Sequence, residues 1–149
     1  MKISVETEIR APAKVVWDII TDIKNSPEFI SGIDEVEVLD SPADGLVGLK
    51  WKETRTLFGR TATEIMWITE AVENEYYKVR AESHGALYLT DFYLSESNGV
   101  TTLKMDFDGT PQTLGAKIMS ALTGFMFKKS TEQAVIQDLE DIKAAAEKR

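Results

Sequence analysis

The sequence contains no cysteine, a single histidine and only four prolines in 149 residues. Without cysteine there can be no disulfide, no thiolate metal ligand and no cysteine nucleophile. Basic residues are also scarce, since 17 lysines and arginines stand against 25 acids and give a net charge of −8. Binding to nucleic acid needs concentrated positive charge, so the composition argues against a nucleic-acid partner.

Long apolar runs and the motifs of common cofactor sites are missing as well. No segment is long and apolar enough to span a bilayer, and the first residues alternate apolar and polar instead of forming a signal peptide. The chain has no GxGxxG, P-loop or HExxH motif and no acid cluster with metal-ligand spacing. We therefore expect a cytoplasmic protein that has no metal and no cofactor.

The pattern along the chain predicts one α+β domain over residues 1–149. Alternation of apolar and polar residues indicates strands at 2–10, 33–39, 47–57, 61–72, 76–83, 86–94 and 100–107. Two short helical segments, after Pro12 and after Ser26, lie between the first and second strands. Six consecutive strands with short turns predict an antiparallel sheet, and one C-terminal helix is left to cover it.

The last third of the chain, residues 111–149, predicts one long helix, because after Pro111 it has no further proline and only two glycines. Its apolar residues form two sets at helical spacing, and the second set is rotated by about a quarter turn from the first. We therefore expect a bend or a change of packing partner near residues 124–130. The first set is Leu114, Ile118, Leu122 and Phe125, and the second is Val135, Leu139, Ile142 and Ala146.

Alternation also predicts which strand residues face the helix. In the third strand the lysines and threonines share one face, which we assign to solvent. Trp51, Glu53 and Arg55 lie on the opposite face and are therefore predicted to point inward. The fourth strand has no clean apolar face, and we assign Trp67 to the inside. The resulting candidates for ligand binding are Trp51, Glu53, Arg55, Trp67, Ala81, Tyr88, Thr90, Phe92, Met105, Phe107, Met119, Leu122 and Phe125.

Several of these residues also have a purely structural interpretation. Tyr88 and Thr90 can be hydrogen-bonded groups of a fully packed core. Glu53 and Arg55 can pair inside the protein, or form a weak surface pair at a strand end. His84 precedes a glycine at a turn and has no nucleophile or orienting carboxylate nearby in sequence, so we interpret it as a turn residue.

Four segments of the chain carry a family resemblance: Ala11-Pro12-Ala13-Lys14-Val15-Val16-Trp17-Asp18, Ser26-Pro27-Glu28-Phe29, Gly48-Leu49-Lys50-Trp51-Lys52-Glu53 and Asn98-Gly99-Val100-Thr101-Thr102-Leu103. They resemble the START-related (SRPBCC, birch pollen allergen-like) superfamily, and most closely its polyketide cyclase/dehydrase and coenzyme Q-binding branch. The resemblance covers the whole chain. It implies a helix-grip fold, in which a seven-stranded curved antiparallel sheet wraps around a long C-terminal helix and leaves a hydrophobic cavity. Pro12 and Trp17 would serve packing.

The function we expect first is binding or transport of a small hydrophobic molecule, such as a lipid, isoprenoid or polyketide. The alternatives are a cyclase/dehydratase-type enzyme that uses the same cavity and a protein-interaction or chaperone-like module, which predicts an exposed apolar patch near residues 113–127 and no ligand. We lean away from an enzyme and name no catalytic residue. The segment 113–129 has three lysines and no acid, which fits a transient membrane contact but fits a buried helix with a basic end better. The ligand and the oligomeric state stay open.

Overall fold

The computed structural model describes residues 1–57 and 59–149, except for the side chains of Leu122, Thr123, Phe125, Met126 and Phe127. A 3-10 helix, Ile23–Glu28, follows the first α-helix and completes the connection between the first two strands. The other elements are β1 (Lys2–Ile9), α1 (Ala13–Ile20), β2 (Ile33–Asp40), β3 (Lys50–Leu57), β4 (Arg60–Val72), β5 (Tyr76–Ser83), β6 (Ala86–Ser97), β7 (Val100–Pro111) and α2 (Leu114–Glu147).

All seven strands belong to one antiparallel sheet with the order β1-β7-β6-β5-β4-β3-β2. Strands β2 to β7 are neighbours in sequence order, as short turns between them require. The first two strands lie at opposite edges, so α1 and the 3-10 helix carry the chain from one edge to the other. The predicted α+β fold, with seven strands, two short helices and one long helix, is confirmed.

The predicted boundaries differ most at the junction of β7 and α2. The strand runs on to Pro111, because its last residues pair with β6 as far as Ala86. The helix therefore begins at Leu114, three residues later than predicted. Thr113 caps it, since its hydroxyl oxygen accepts a hydrogen bond from the backbone N–H of Ala116 at 3.1 Å.

The second half of α2 closes the core. Its apolar set packs toward β1, β7 and α1. Polar contacts fix the same half in place: Lys143 Nζ donates to the carbonyl of Glu8 at 2.9 Å, and the Ser31 hydroxyl donates to Asp141 at 2.7 Å. The buried members of this half are Val135, Leu139, Ile142 and Ala146.

The first half of α2 is packed differently. Leu114, Ile118 and Met119 are 76%, 53% and 59% exposed, so the apolar surface at the start of the helix is open, as the protein-interaction alternative predicts. Several side chains of the segment 124–130, where the bend or change of packing partner is predicted, lie outside the described residues. Within the described part of the chain, no helix is both long and apolar enough to cross a membrane.

Candidate functional site

A cavity of about 440 Å³ lies between the inner face of the sheet and the helices that cover it. Strands β3 to β7 each contribute every second residue to the lining, because successive side chains of a strand point to opposite faces. The 3-10 helix, α1 and the second half of α2 form the other walls. Most of the lining is apolar, including Ile19, Ile23, Phe29, Ile33, Met66, Val79, Met105 and Ile142.

Two aromatic pairs shape the cavity walls. Tyr77 stacks on Phe92 with 4.7 Å between ring centroids, and its hydroxyl donates to the carbonyl of Ile20 at 2.8 Å. Tyr88 stacks on Phe107 with 5.8 Å between centroids. Burial raises the pKa of both tyrosines, and the charges of nearby glutamates raise it further. Both phenols therefore stay neutral over the ordinary pH range.

A buried ion network centred on Arg55 forms one polar wall. Its Nε donates to Glu53 at 2.7 Å, and its two terminal nitrogens donate to both oxygens of Asp138 at 3.0 and 2.8 Å. Glu53 also accepts a hydrogen bond from the indole N–H of Trp51 at 3.3 Å. One guanidinium thus joins β3 to α2 and holds two carboxylates at the cavity wall.

The network carries more negative than positive charge. Burial works to lower the pKa of Arg55, but the carboxylates of Asp138 and Glu53 outweigh it, and the net pKa is raised. Burial raises the pKa of Asp138 although Arg55 opposes this, and the neighbouring charges of Glu53 and Asp141 raise it further. Arg55 is therefore a permanent cation, shared between two carboxylates that compete for it.

Gly32 makes room for this network. A Cβ at that position would lie 3.1 Å from a terminal nitrogen of Arg55 and 3.5 Å from Asp138. The absence of a side chain at residue 32 therefore lets the segment before β2 pass close to the bidentate pair without displacing it.

Two glutamates face each other across β3 and β4. Glu53 and Glu64 are register partners, and both line the cavity. Within the described part of the chain, Oε2 of Glu64 is buried and has no hydrogen-bond partner. Among the described residues, no group of three or more histidines or acids is placed to hold a metal ion.

A second pocket of about 470 Å³ lies under the first half of α2. Small residues of the helix form one side, and the ends of β6 and β7 form the other. Tyr88 and His84 line both pockets, so they form the wall between them. His84 occupies the β5–β6 turn with φ of 51°, and the Ser83 hydroxyl lies 2.6 Å from its Nδ1.

The structure brings nine of the thirteen predicted binding residues to the main cavity. Met119 lies instead at the second pocket. Leu122 and Phe125 fall outside the residues whose side chains are described. The nine are Trp51, Glu53, Arg55, Ala81, Tyr88, Thr90, Phe92, Met105 and Phe107.

The inward assignment of Trp67 is wrong. It pairs in register with Lys50 and Arg80, and the Lys50 ammonium lies 6.0 Å from its ring centroid. These partners belong to the outer face of the sheet. The inner face of β4 instead carries Ala62, Glu64 and Met66, so a polar residue interrupts the apolar alternation that would have revealed the register.

Asp138 is missing from the sequence candidates, because those candidates come from strand alternation and from the apolar positions of the helix. A signal existed: Asp138 follows Val135 by three residues and precedes Ile142 by four, so it shares their helical face. An acid inside an apolar stripe needs a buried cation, and Arg55 was the available partner.

The sequence matches the model of one protein family. The match spans residues 1–147, and the family is described as polyketide cyclase / dehydrase and lipid transport. No curated protein sequence matches the chain.

Solved structures of similar fold cover nearly the whole chain. The Zhui aromatase/cyclase from Streptomyces sp. R1128 has a TM-score of 0.85 and 15% identity, with 100% of this chain and 94% of that chain covered. The protein TTHA0849 from Thermus thermophilus has a TM-score of 0.83 and 13% identity, with 98% and 97% covered. A START superfamily protein from Mycobacterium smegmatis has a TM-score of 0.74 and 18% identity, with 99% and 95% covered. At such identities the likeness shows the fold alone.

Proposed function

Because the chain belongs to the polyketide cyclase / dehydrase and lipid transport family, we propose that it binds a small, mostly apolar molecule in the main cavity. The observation that carries this proposal is the cavity of about 440 Å³, with apolar walls and one buried ion network. Binding sites for small molecules are commonly built this way, with apolar surface for affinity and a few polar groups for orientation.

The residues divide into two roles. Phe92, Met105 and Phe107 offer apolar surface, whose burial contributes about 25 cal/mol per Å². Arg55 is fixed by two carboxylates, so the wall around it is preorganised and loses little side-chain entropy when a ligand binds.

The first test is titration with N-phenyl-1-naphthylamine, an uncharged apolar fluorophore whose emission rises in apolar surroundings. We expect a saturable rise for the natural protein. Ala81→Phe should abolish it, because Ala81 is buried on the cavity wall in register with Met66 and Tyr88. Leu89→Phe adds a ring on the exposed outer face and should leave binding unchanged.

Native mass spectrometry of protein purified without added ligand gives an independent result. A co-purifying small molecule, lost in Ala81→Phe, would support the binding role and report its mass. Equal fluorophore binding by Ala81→Phe, with circular dichroism showing that this variant folds, would contradict it.

An enzyme of the cyclase or dehydratase type is the second candidate, and the raised pKa of Asp138 favours it. A carboxyl group at a cavity wall with a raised pKa can hold a proton for transfer. Incubation with a synthetic poly-β-ketone, followed by mass spectrometry, should then show loss of water, and Asp138→Asn should abolish that reaction. Recovery of unchanged ketone would leave only the binding role.

A further inference from the structure

The paired glutamates of the cavity are not explained by apolar binding alone. Glu53 on β3 and Glu64 on β4 lie directly opposite each other. In that position the Cβ atoms of an antiparallel pair are about 5 Å apart, and like charges destabilise the sheet. Local conflicts of this kind are expected mainly at functional sites.

Arg55 does not resolve the conflict. Its Nε is bonded to Glu53, and both its terminal nitrogens are bonded to Asp138. The combined negative charge of these two carboxylates is larger than the single positive charge of Arg55, even without Glu64. The other arginine at the cavity, Arg60, is exposed and lies four residues from Glu64 on the same strand, roughly 13 Å away.

Glu64 is thus left with an unused acceptor. Within the described residues its Oε2 is buried and accepts no hydrogen bond. Leaving a buried acceptor unpaired costs about 1–3 kcal/mol, and more when the group is charged. Glu64 lines the cavity, so a ligand group that donates to its carboxylate would offset part of that cost, and a positive charge would also reduce the repulsion between the glutamates.

We propose that the cavity selects apolar molecules by a hydrogen-bond-donating head group, a hydroxyl or a protonated amine held by Glu64 opposite Glu53, and excludes carboxylates. This inference rests on the proposed function, since it requires the cavity to be a binding site. A carboxylate head cannot donate to Glu64 and would add a further negative charge beside Glu53 and Asp138.

The test uses four probes with one apolar body: naphthylmethanol, naphthylmethylammonium, naphthoate and methylnaphthalene, all substituted at the same ring position. Binding is followed by NMR through the indole N–H signal of Trp51, which donates to Glu53 in the cavity. The indole signal of Trp67, on the outer face beside Lys50, is the internal control.

We expect the alcohol and the amine to bind more tightly than methylnaphthalene, and naphthoate to bind at least about tenfold more weakly than the alcohol. Glu64→Gln should lower the ratio of amine affinity to naphthoate affinity by at least about tenfold. Glu70→Gln makes the same charge change on the same strand but at an exposed pair with Lys78, and should leave the ratio unchanged. Glutamine keeps the shape of Glu64 and removes a like charge, so this variant should fold.

Two results would overturn the inference while the proposed function stands. One is binding of naphthoate as tight as that of the alcohol, with methylnaphthalene bound; the other is an unchanged affinity ratio in Glu64→Gln. If none of the four probes, methylnaphthalene included, shifts the Trp51 signal, the proposed function fails and the inference fails with it. If the amine binds more tightly than the alcohol, the selection depends on charge. If the amine and the alcohol bind with equal affinity, the selection depends on the hydrogen bond. Both outcomes support the inference.

Discussion

Arg55 holds the ion network together, so its removal should be costly. Arg55→Met leaves Glu53 and Asp138 buried without their cation, and we expect a loss of about 3–5 kcal/mol in the free energy of unfolding. Urea unfolding measures it. Arg80→Met breaks an exposed pair with Glu82 and should cost less than about 1 kcal/mol. Equal losses for the two variants would show that the Arg55 network contributes no more to stability than an exposed ion pair.

Asp138 gives stability a pH dependence of defined sign. Burial raises its folded-state pKa above the ordinary value of 3.8, so folding favours its protonated form. Its contribution to stability is therefore fully present below pH 3.8 and is lost as the pH rises through the raised pKa. The difference in unfolding free energy between the natural protein and Asp138→Asn should therefore decrease as the pH rises through the raised pKa of Asp138.

Asp18→Asn makes the same change at an exposed surface pair with Lys14 and is the matched control. A difference for Asp138→Asn that grows with pH would mean that Arg55 holds Asp138 ionised and that burial is the weaker effect.

The sequence predicts single residues well where one strand face is plainly polar. In β3, lysines and threonines alternate with Trp51, Glu53 and Arg55, and the inward set is correct. In β4, Glu64 lies on the cavity face, so the two faces of this strand do not differ clearly in polarity. The inward assignment of Trp67 is wrong for this reason. The polar groups of the cavity interrupt the alternation of apolar and polar residues, which is the pattern from which the lining residues are predicted.

At the scale of elements, order and type follow from periodicity, whereas ends depend on contacts distant in sequence. Strand β7 extends to Pro111 because β6 pairs with it there. The exposure of Ile118 is predicted only by the protein-interaction alternative, because a regular apolar stripe by itself predicts a packed face whether or not a partner surface fits it closely. The second pocket lies under that half of α2.

The turn between β5 and β6 positions the start of α2, and Gly85 is the critical residue. It has φ of +76°, and a Cβ there would overlap the side chain of Thr113, the cap of α2. Its carbonyl also accepts from the backbone N–H groups of Gln112 and Thr113 at 2.7 and 3.2 Å. No other residue type satisfies both the backbone conformation and this contact.

Gly85→Ala should therefore destabilise the protein more than Gly99→Ala. Gly99 has φ of +80° but nothing within 4 Å of an added Cβ, so its substitution tests the backbone conformation alone, at about 1–2 kcal/mol. The additional loss in Gly85→Ala measures the contact with Thr113. Urea unfolding of both variants gives the comparison, and equal losses would show that the turn does not position the helix.

At the scale of the whole molecule, the two ends of α2 differ in what they contribute to stability. Residues 135–146 are tied to β1, β7 and α1 by buried apolar contacts, while residues 114–119 include three large apolar side chains that are more than half exposed. The second pocket separates this loosely covered end from the sheet, whereas the main cavity lies against the second half of the helix. The helix thus combines an end with many buried contacts, which supplies stability, with a loosely covered end that opens more easily.

Native-state hydrogen exchange should resolve these two ends along one continuous helix. Amides of residues 135–146, β1 and β7 should open only with global unfolding, whereas amides of residues 118–121 should exchange faster by at least about two orders of magnitude after correction for intrinsic rates. The first turn is left out because its amides lack helical partners. Uniform protection along α2 would mean that the helix opens as one unit and that its exposed first half is no less stable than its second half.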